Sequence, residues 1–280
     1  MALRVQNNIA AMNAYRNLSV TDSQMSKSLE KLSSGFRINR AGDDAAGLVI
    51  SENLRSQASG LKQAARNAMD GVSVVQTAEG ALTEVTSMLQ RMRDLTIQSK
   101  NDTNSTESRN ALQAELNELS GAIADIASRT EFNGTKLLNG TAGVSGVLSF
   151  QVGAKNGDTL AVTTRDVTAN TLNVESTDLV VGGSGTVATR DTALTNIDAA
   201  IATVTTFRGA LGAAQNRLEY TINNLSVTEE NLTASESRIR DTDMAMEMTS
   251  FSKNQILSQA GTAMLAQANQ SSQGVLSLFR

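Results

Sequence analysis

The 280-residue chain carries 24 Lys plus Arg against 28 Asp plus Glu, and a net charge of −4 offers no basic field to a phosphate backbone, so nucleic acid is not an expected partner. It contains no Cys and no His, which removes disulfides, thiolate nucleophiles and the commonest zinc ligands; no enzyme, metal or cofactor is expected. Proline is also missing, where ordinary usage would supply about 14, and with it the residue that interrupts helix interiors. Aromatics are 3% of residues, leaving an interior of Leu, Ile, Val, Met and Ala that suits helix-on-helix packing. Apolar runs such as Ala45 to Ile50 fall short of the roughly 18 residues of a membrane span, and Arg4, Gln6, Asn7 and Asn8 occupy the stretch a cleaved secretory signal would make apolar. Neither membrane insertion nor a standard export signal is expected.

Taken in order, Leu18, Met25, Leu29, Leu32 and Phe36 keep one stripe on a first amphipathic helix. The stretch Ser33 to Gly42, with Gly35, Arg37, Arg40 and Gly42, then predicts a break toward its end, with Asp43 or Asp44 as the cap of the next helix. That helix holds Leu54, Leu61, Ala65, Ala68, Val72, Val75, Leu82, Val85, Leu89 and Met92 at three-four spacing and runs to about Gln98. At 1.5 Å per residue it would be about 80 Å long, so an elongated molecule is expected. Gly60, Gly71 and Gly80 inside it predict close approach of a neighbour. Asn101 to Ser108 is a polar turn with Asn104 as the expected cap, followed by a third helix through Leu112, Leu116, Leu119, Ile123 and Ile126.

Between Glu131 and about Gly185 the period changes from 3.6 to 2. Val147 to Val152 and Thr159 to Thr164 alternate around Asn156-Gly157, which predicts a β-hairpin, and Asn133-Gly134 and Asn139-Gly140 mark further turns. Gly182, Gly183 and Gly185 lack the following Lys-Ser/Thr of a phosphate loop and read as a flexible connection. Helical spacing returns with Ile197, Ile201, Val204, Leu211, Leu218, Ile222, Leu225, Leu232, Ile239 and Met246, then Leu257, Ala260, Met264, Leu276 and Phe279. The fold class is mainly α: an elongated antiparallel bundle of long helices with a small β-hairpin region mid-chain. Asp241, Asp243 and Glu247 lack EF-hand spacing and read as a solvated acidic face.

Several stretches carry a resemblance. Leu32-Ser-Ser-Gly-Phe-Arg-Ile-Asn39, Gly42-Asp-Asp-Ala-Ala-Gly-Leu48, Ala64-Ala-Arg-Asn-Ala-Met-Asp-Gly71 and Gln76-Thr-Ala-Glu-Gly-Ala-Leu82 closely resemble the N-terminal region of bacterial flagellin. Leu211-Gly-Ala-Ala-Gln-Asn-Arg-Leu218 and the stretch Ile256 to Asn269 resemble its C-terminal region. The resemblance implies an inner coiled-coil tube built from the terminal segments (1–42 and 241–280) and a rod domain built from 43–185, with the hairpins, and 186–240. About 55 residues separate the rod helices, so the chain resembles a minimal member without outer variable domains. It further implies a structural filament subunit for swimming motility, exported by the flagellar type III route without a cleaved signal and located outside the cell. The implied partners are copies of itself, an export chaperone, and cap and junction proteins. A hook-filament junction protein and, more remotely, a helical signalling coiled coil are the alternatives.

Two groups of candidate site residues follow. An isolated short helix is marginal in water, so the terminal apolar stripes are expected to pack between subunits through Leu3, Val5, Ile9, Met12, Leu18, Leu257, Ala260, Met264, Leu265, Leu276 and Phe279. The ends, 1 to about 40 and about 241 to 280, are expected to be disordered in the monomer and to fold on assembly. From the resemblance, Gln90, Arg91, Leu95 and Glu115 are candidate contacts for the vertebrate Toll-like receptor that senses flagellins.

Overall fold

A computed structural model of the chain describes residues 8–183 and 185–277, with side chains through residue 271. The described residues fall into two compact units, residues 1–57 with 230–280 and residues 58–229. The elements are α1 (Ile9–Ser34), α2 (Ala45–Ser99), α3 (Thr106–Arg129), β1 (Glu131–Phe132), β2 (Thr135–Lys136), β3 (Val147–Gln151), β4 (Thr159–Thr163), α4 (Val187–Arg240) and α5 (Met244–Ser277). The mainly helical class expected from the missing prolines and the three-four stripes is what the structure has.

In the first unit α1 and α5 pair antiparallel. Asn8 caps α1, its Oδ1 accepting from the Ala11 amide at 3.1 Å, and its Nδ2 donates across to the Ala268 carbonyl at 2.9 Å. Further along, Ser258 donates to Asp22, and Lys31 approaches Glu247 at 4.0 Å. Gly35 ends α1 with φ +77°, a left-handed cap that a side chain would strain, and its amide returns to the Lys31 carbonyl at 2.8 Å. The break thus opens at Gly35, earlier than the end of the Ser33 to Gly42 stretch where it was expected, and Asp44 takes the capping role on α2 by accepting from the Gly47 amide at 2.9 Å. Asp43 instead accepts from the Asn39 and Arg40 amides. The Arg40 N–H is the largest cause holding the Asp43 carboxyl below the usual carboxylate range, with Asn39, Lys27 and Lys31 acting in the same sense.

The second unit has a dry core. On α2 the buried side chains Leu61, Ala64, Ala68, Val75, Ala78, Leu82, Val85, Leu89 and Met92 follow a three-four repeat. They meet Leu116, Ile123 and Ala127 of α3 and Ala193, Ile197, Ala200, Val204, Phe207, Leu211 and Leu218 of α4. Ion pairs Arg91–Glu115, Arg93–Asp198 and Glu79–Arg208, each at 2.7 Å, and Lys100–Asp191 flank these seams and fix both pairings as antiparallel. The cap of α3 is Ser105, accepting from the Ser108 amide at 3.2 Å, rather than Asn104. Asn104 serves the other helix end, donating to the Gln98 carbonyl at 2.6 Å near the end of α2.

The predicted hairpin is β3 and β4, paired antiparallel from Val147↔Thr163 to Gln151↔Thr159, with Gly157 at φ +96° in its turn. Asn133 and Gly134, both at positive φ, form the tight turn between β1 and β2. Two expectations fail. Gly182 and Gly183 do not form a loose connection: the Val181 and Gly182 amides donate to Gln113 Oε1 and the Gly183 amide to Asn110 Oδ1, so α3 side chains hold the segment. Gly80 has no heavy atom within 4 Å of a would-be Cβ, whereas Gly60 meets Ala154 at 3.1 Å and Gly71 meets Leu218 and Phe150 at 3.3 Å.

Gly80→Ala should raise the unfolding free energy by about 0.5–1 kcal/mol, since it removes helix-interior backbone freedom without a clash. Leu89→Ala, at a position with 0% exposure, should lower it by about 2–5 kcal/mol. Urea unfolding of the full chain followed by circular dichroism checks both signs.

Candidate self-association surface

The α1–α5 seam is built from modest side chains. Ala11, Ala14, Leu18, Thr21, Met25, Ser28 and Leu32 of α1 are half-buried or buried at unbroken heptad spacing, and Glu30 and Lys31 are half-buried beside the last of them. Those of α5 include Glu247, Phe251, Asn254, Ser258, Gly261, Leu265 and Ala268, with the same spacing. Ser28 and Asn254 are its most buried members, and Leu18 Cδ1 lies 3.2 Å from where Gly261 would carry a Cβ. The seam is narrow because small residues let the backbones approach, and it removes little apolar surface from water.

Many large apolar side chains of the two helices point away from the seam. Ile9 is 58% exposed, Met12 59%, Tyr15 67%, Ile256 66% and Met264 64%, with Val20, Leu29 and Leu257 also exposed. Met12, Tyr15 and Val20 of α1 and Leu265 of α5 line one open groove between the two helices. Among the described residues of this unit, Ile38 is the only apolar side chain in the buried class. Two helices of 26 and 34 residues thus pair without a core of their own.

The structure sorts the predicted packing residues. Ile9, Met12, Leu257, Ala260 and Met264 lie on exposed faces. Leu18 and Leu265 are half-buried in the seam, so part of their surface is already covered within the chain; heptad spacing, rather than apolar character, selects which residues turn inward. Leu3, Val5 and Phe279, and the side chain of Leu276, lie outside the described residues. Within the ends expected to order on assembly, Ile9–Ser34 and Met244–Ser277 are helices, paired from Asn8 with Ala268 to Lys31 with Glu247.

A clasp that sequence reading missed closes the base of this pair. The Arg37 amide and guanidinium donate to the Arg240 and Ile239 carbonyls, each at 2.6 Å, and the Thr242 amide donates to the Gly35 carbonyl at 2.9 Å. The Arg240 guanidinium lies 4.8 Å from the Phe36 ring centroid and reaches Glu52 at 2.6 Å. Its signal was Arg37 in a glycine-bounded break, whose partners lie some 200 positions away in the chain, whereas Arg40 of the same break pairs locally with Glu30. The acidic residue Asp243, read as part of a solvated face, caps α5 by accepting from the Ala245 and Met246 amides.

In the second unit Arg91 stacks its Nε and Nη2 donors on Glu115 Oε1, at 2.8 and 2.7 Å, on an exposed face that also holds Gln90. Leu95 does not join them. It is 1% exposed and extends the α2 core stripe beyond Met92, so its expected contact role is corrected to packing.

These features define a class: a helical chain with one self-sufficient core and a terminal helix pair whose large apolar side chains await external cover. The bacterial flagellin N-terminal helical region matches residues 5–143, and the C-terminal helical region matches residues 194–279. A flagellin of Halalkalibacterium halodurans is 49% identical over 276 residues, covering 99% of both chains, and one of Bacillus subtilis is 47% identical, covering 99% of this chain and 100% of its own. The flagellar filament 33 kDa core protein of Treponema phagedenis is 45% identical, with 99% of each chain covered. Among solved structures, the Bacillus cereus flagellin has a TM-score of 0.50 and 32% identity, covering 57% of this chain and 88% of its own. The chain belongs to the bacterial flagellin family, whose members are structural subunits of the flagellar filament.

Arg240→Met keeps an apolar stem over Phe36 but loses the Glu52 pair and the cation–π contact. The clasp should loosen by about 1–2 kcal/mol, read as faster hydrogen exchange at the Arg37 and Thr242 amides with second-unit amides unchanged.

Proposed function

We propose that the outward faces of α1 and α5 are the surfaces through which copies of this chain pack in the filament, with Ile9, Met12, Leu257, Ala260 and Met264 as contacts. One observation carries the reading: the first unit has Ile38 as its single buried apolar side chain among the described residues, while its larger apolar groups stay in water. Covering them with a second copy gains about 1.5–3 kcal/mol per large side chain, repeated along every seam of the assembly. On this reading residues 1–42 and 241–280 form the inner tube, and 43–185 with 186–240 form the rod domain. Subunits reach the growing tip by type III export through the flagellum's own channel and join the filament outside the cell. Before that, an export chaperone covers the same apolar faces; at the tip, cap and junction proteins meet them.

Seeded elongation of purified chain, followed by electron microscopy, tests the packing. A Met12→Gln, Met264→Gln double variant should elongate about a hundredfold more slowly, two large apolar contacts having been lost, while its second unit unfolds at the unchanged urea midpoint. Elongation at the parental rate would remove these residues from the interface.

A second reading concerns the α2–α3 face. Gln90 and the Arg91–Glu115 pair present a pre-ordered, exposed polar patch that suits the vertebrate Toll-like receptor contact implied by the flagellin resemblance. The pair itself contributes little stability, about 0–1 kcal/mol at such exposure. Arg91→Ala should therefore cut receptor-reporter signalling at least about tenfold with the fold intact, and a full signal from that variant would refute the assignment.

A further inference from the structure

With no Cys and no Trp in the chain, the thioethers of its ten methionines are its most readily oxidised side chains. Their burial divides them sharply. Met92 is 0% exposed in the core of the second unit and Met88 is half-buried beside it. Met25 is half-buried in the α1–α5 seam, and Met69, on α2 of the second unit, is 50% exposed but lies outside the terminal helix pair. On α1 and α5 Met12 is 59% exposed, Met244 47%, Met246 69%, Met248 50% and Met264 64%. Three of these fall within five residues at the start of α5, where Asp243 holds the first turn in place and leaves their side chains in water.

We propose that these five methionines form an oxidation site, and that their conversion to sulfoxides by a hydroperoxide switches self-association off. A sulfur lone pair attacks the hydroxyl oxygen of the peroxide and the S–O bond forms as the O–O bond breaks; the proton on the attacked oxygen passes to the departing oxygen, which leaves as water from hydrogen peroxide or as the alcohol from an organic hydroperoxide. The thioether is oxidised by two electrons and the peroxide is reduced by two. The product is a polar sulfoxide in place of an apolar group. Exposed on a free chain, it costs little. Pressed into an apolar seam between copies it must lose its water without a guaranteed hydrogen-bond partner, which disfavours association. The direction of control follows: free chain is vulnerable, and chain whose faces are covered is protected. The association half of this inference rests on the packing reading above, whereas the selectivity of oxidation does not.

The test treats purified full-length chain with dilute hydrogen peroxide at neutral pH and maps sulfoxides by peptide mass spectrometry. Met12, Met246 and Met264 should oxidise at least about tenfold faster than Met92, since susceptibility follows exposure. The oxidised chain should elongate from seeds at least about tenfold more slowly than untreated chain, and recover after repair by methionine sulfoxide reductases of both stereochemical types. A variant with Met12, Met244, Met246, Met248 and Met264 all changed to Leu should lose the peroxide effect, judged as the ratio of its treated to untreated rate. Equal oxidation of Met92 and Met246, an oxidised chain that elongates at the untreated rate, or a peroxide effect retained by the leucine variant would each overturn the proposal. Untreated chain that never elongates would refute the packing reading, and with it the association half of this one.

Discussion

The structure depends on a shortage of apolar burial at the chain ends. The α1–α5 heptad seam interrupts its large apolar residues, Leu18, Met25, Leu32, Phe251 and Leu265, with Ala, Ser, Thr, Gly, Asn and Glu at positions where a self-sufficient coiled coil would place Leu or Ile, so pairing orders the helices without fully burying an apolar core. Large apolar side chains lie on the opposite faces. A seam so interrupted leaves the isolated pair with little buried apolar surface to stabilise it.

The second unit follows the reverse rule. Its α2 stripe of Leu82, Val85, Leu89 and Met92 is fully buried against α3 and α4, and glycines at 60 and 71 admit Ala154, Leu218 and Phe150 at close range. The two parts of the chain therefore play different roles. The second unit encloses an apolar core, and the terminal pair leaves Ile9, Met12, Ile256 and Met264 exposed. Between α1 and α2, and between α4 and α5, the Arg37 and Arg240 clasp ties two chain breaks into one structure through backbone carbonyls, a carboxylate and a ring. Backbone acceptors make such a clasp tolerant of what side chains surround it, because every residue carries a carbonyl.

The non-helical stretch behind β4 shows how far tertiary context can replace regular structure. Val167, Leu172, Val174, Leu179 and Val181 are 0–5% exposed although no strand or helix contains them. Asp166 helps to hold their turn: burial raises its carboxyl pKa, but hydrogen bonds from the Thr168 amide and the Thr171 hydroxyl outweigh that and leave it below the usual carboxylate range. Side chains of α3 anchor the end of the same segment at Val181 to Gly183.

Residue pattern alone determined the helical stretches, the Asn156-Gly157 hairpin and the Asn133-Gly134 turn, because each rests on spacing or on a local φ requirement that neighbours in sequence satisfy, but its stripe ran unbroken from Ile239 to Met246 across the gap between α4 and α5. It also separated apolar ends from apolar middle as candidates for different partners. Tertiary structure decided what periodicity leaves open: that Leu18 and Leu265 turn into the seam while Met12 and Met264 turn out, and that Leu95 belongs to the core although Arg91 one turn earlier does not. It also decided that Asn104 closes α2 and leaves the capping of α3 to Ser105. The physical reason is common to all of these. A helical stripe fixes which residues share a face, but only the arrival of a second element fixes which face loses its water.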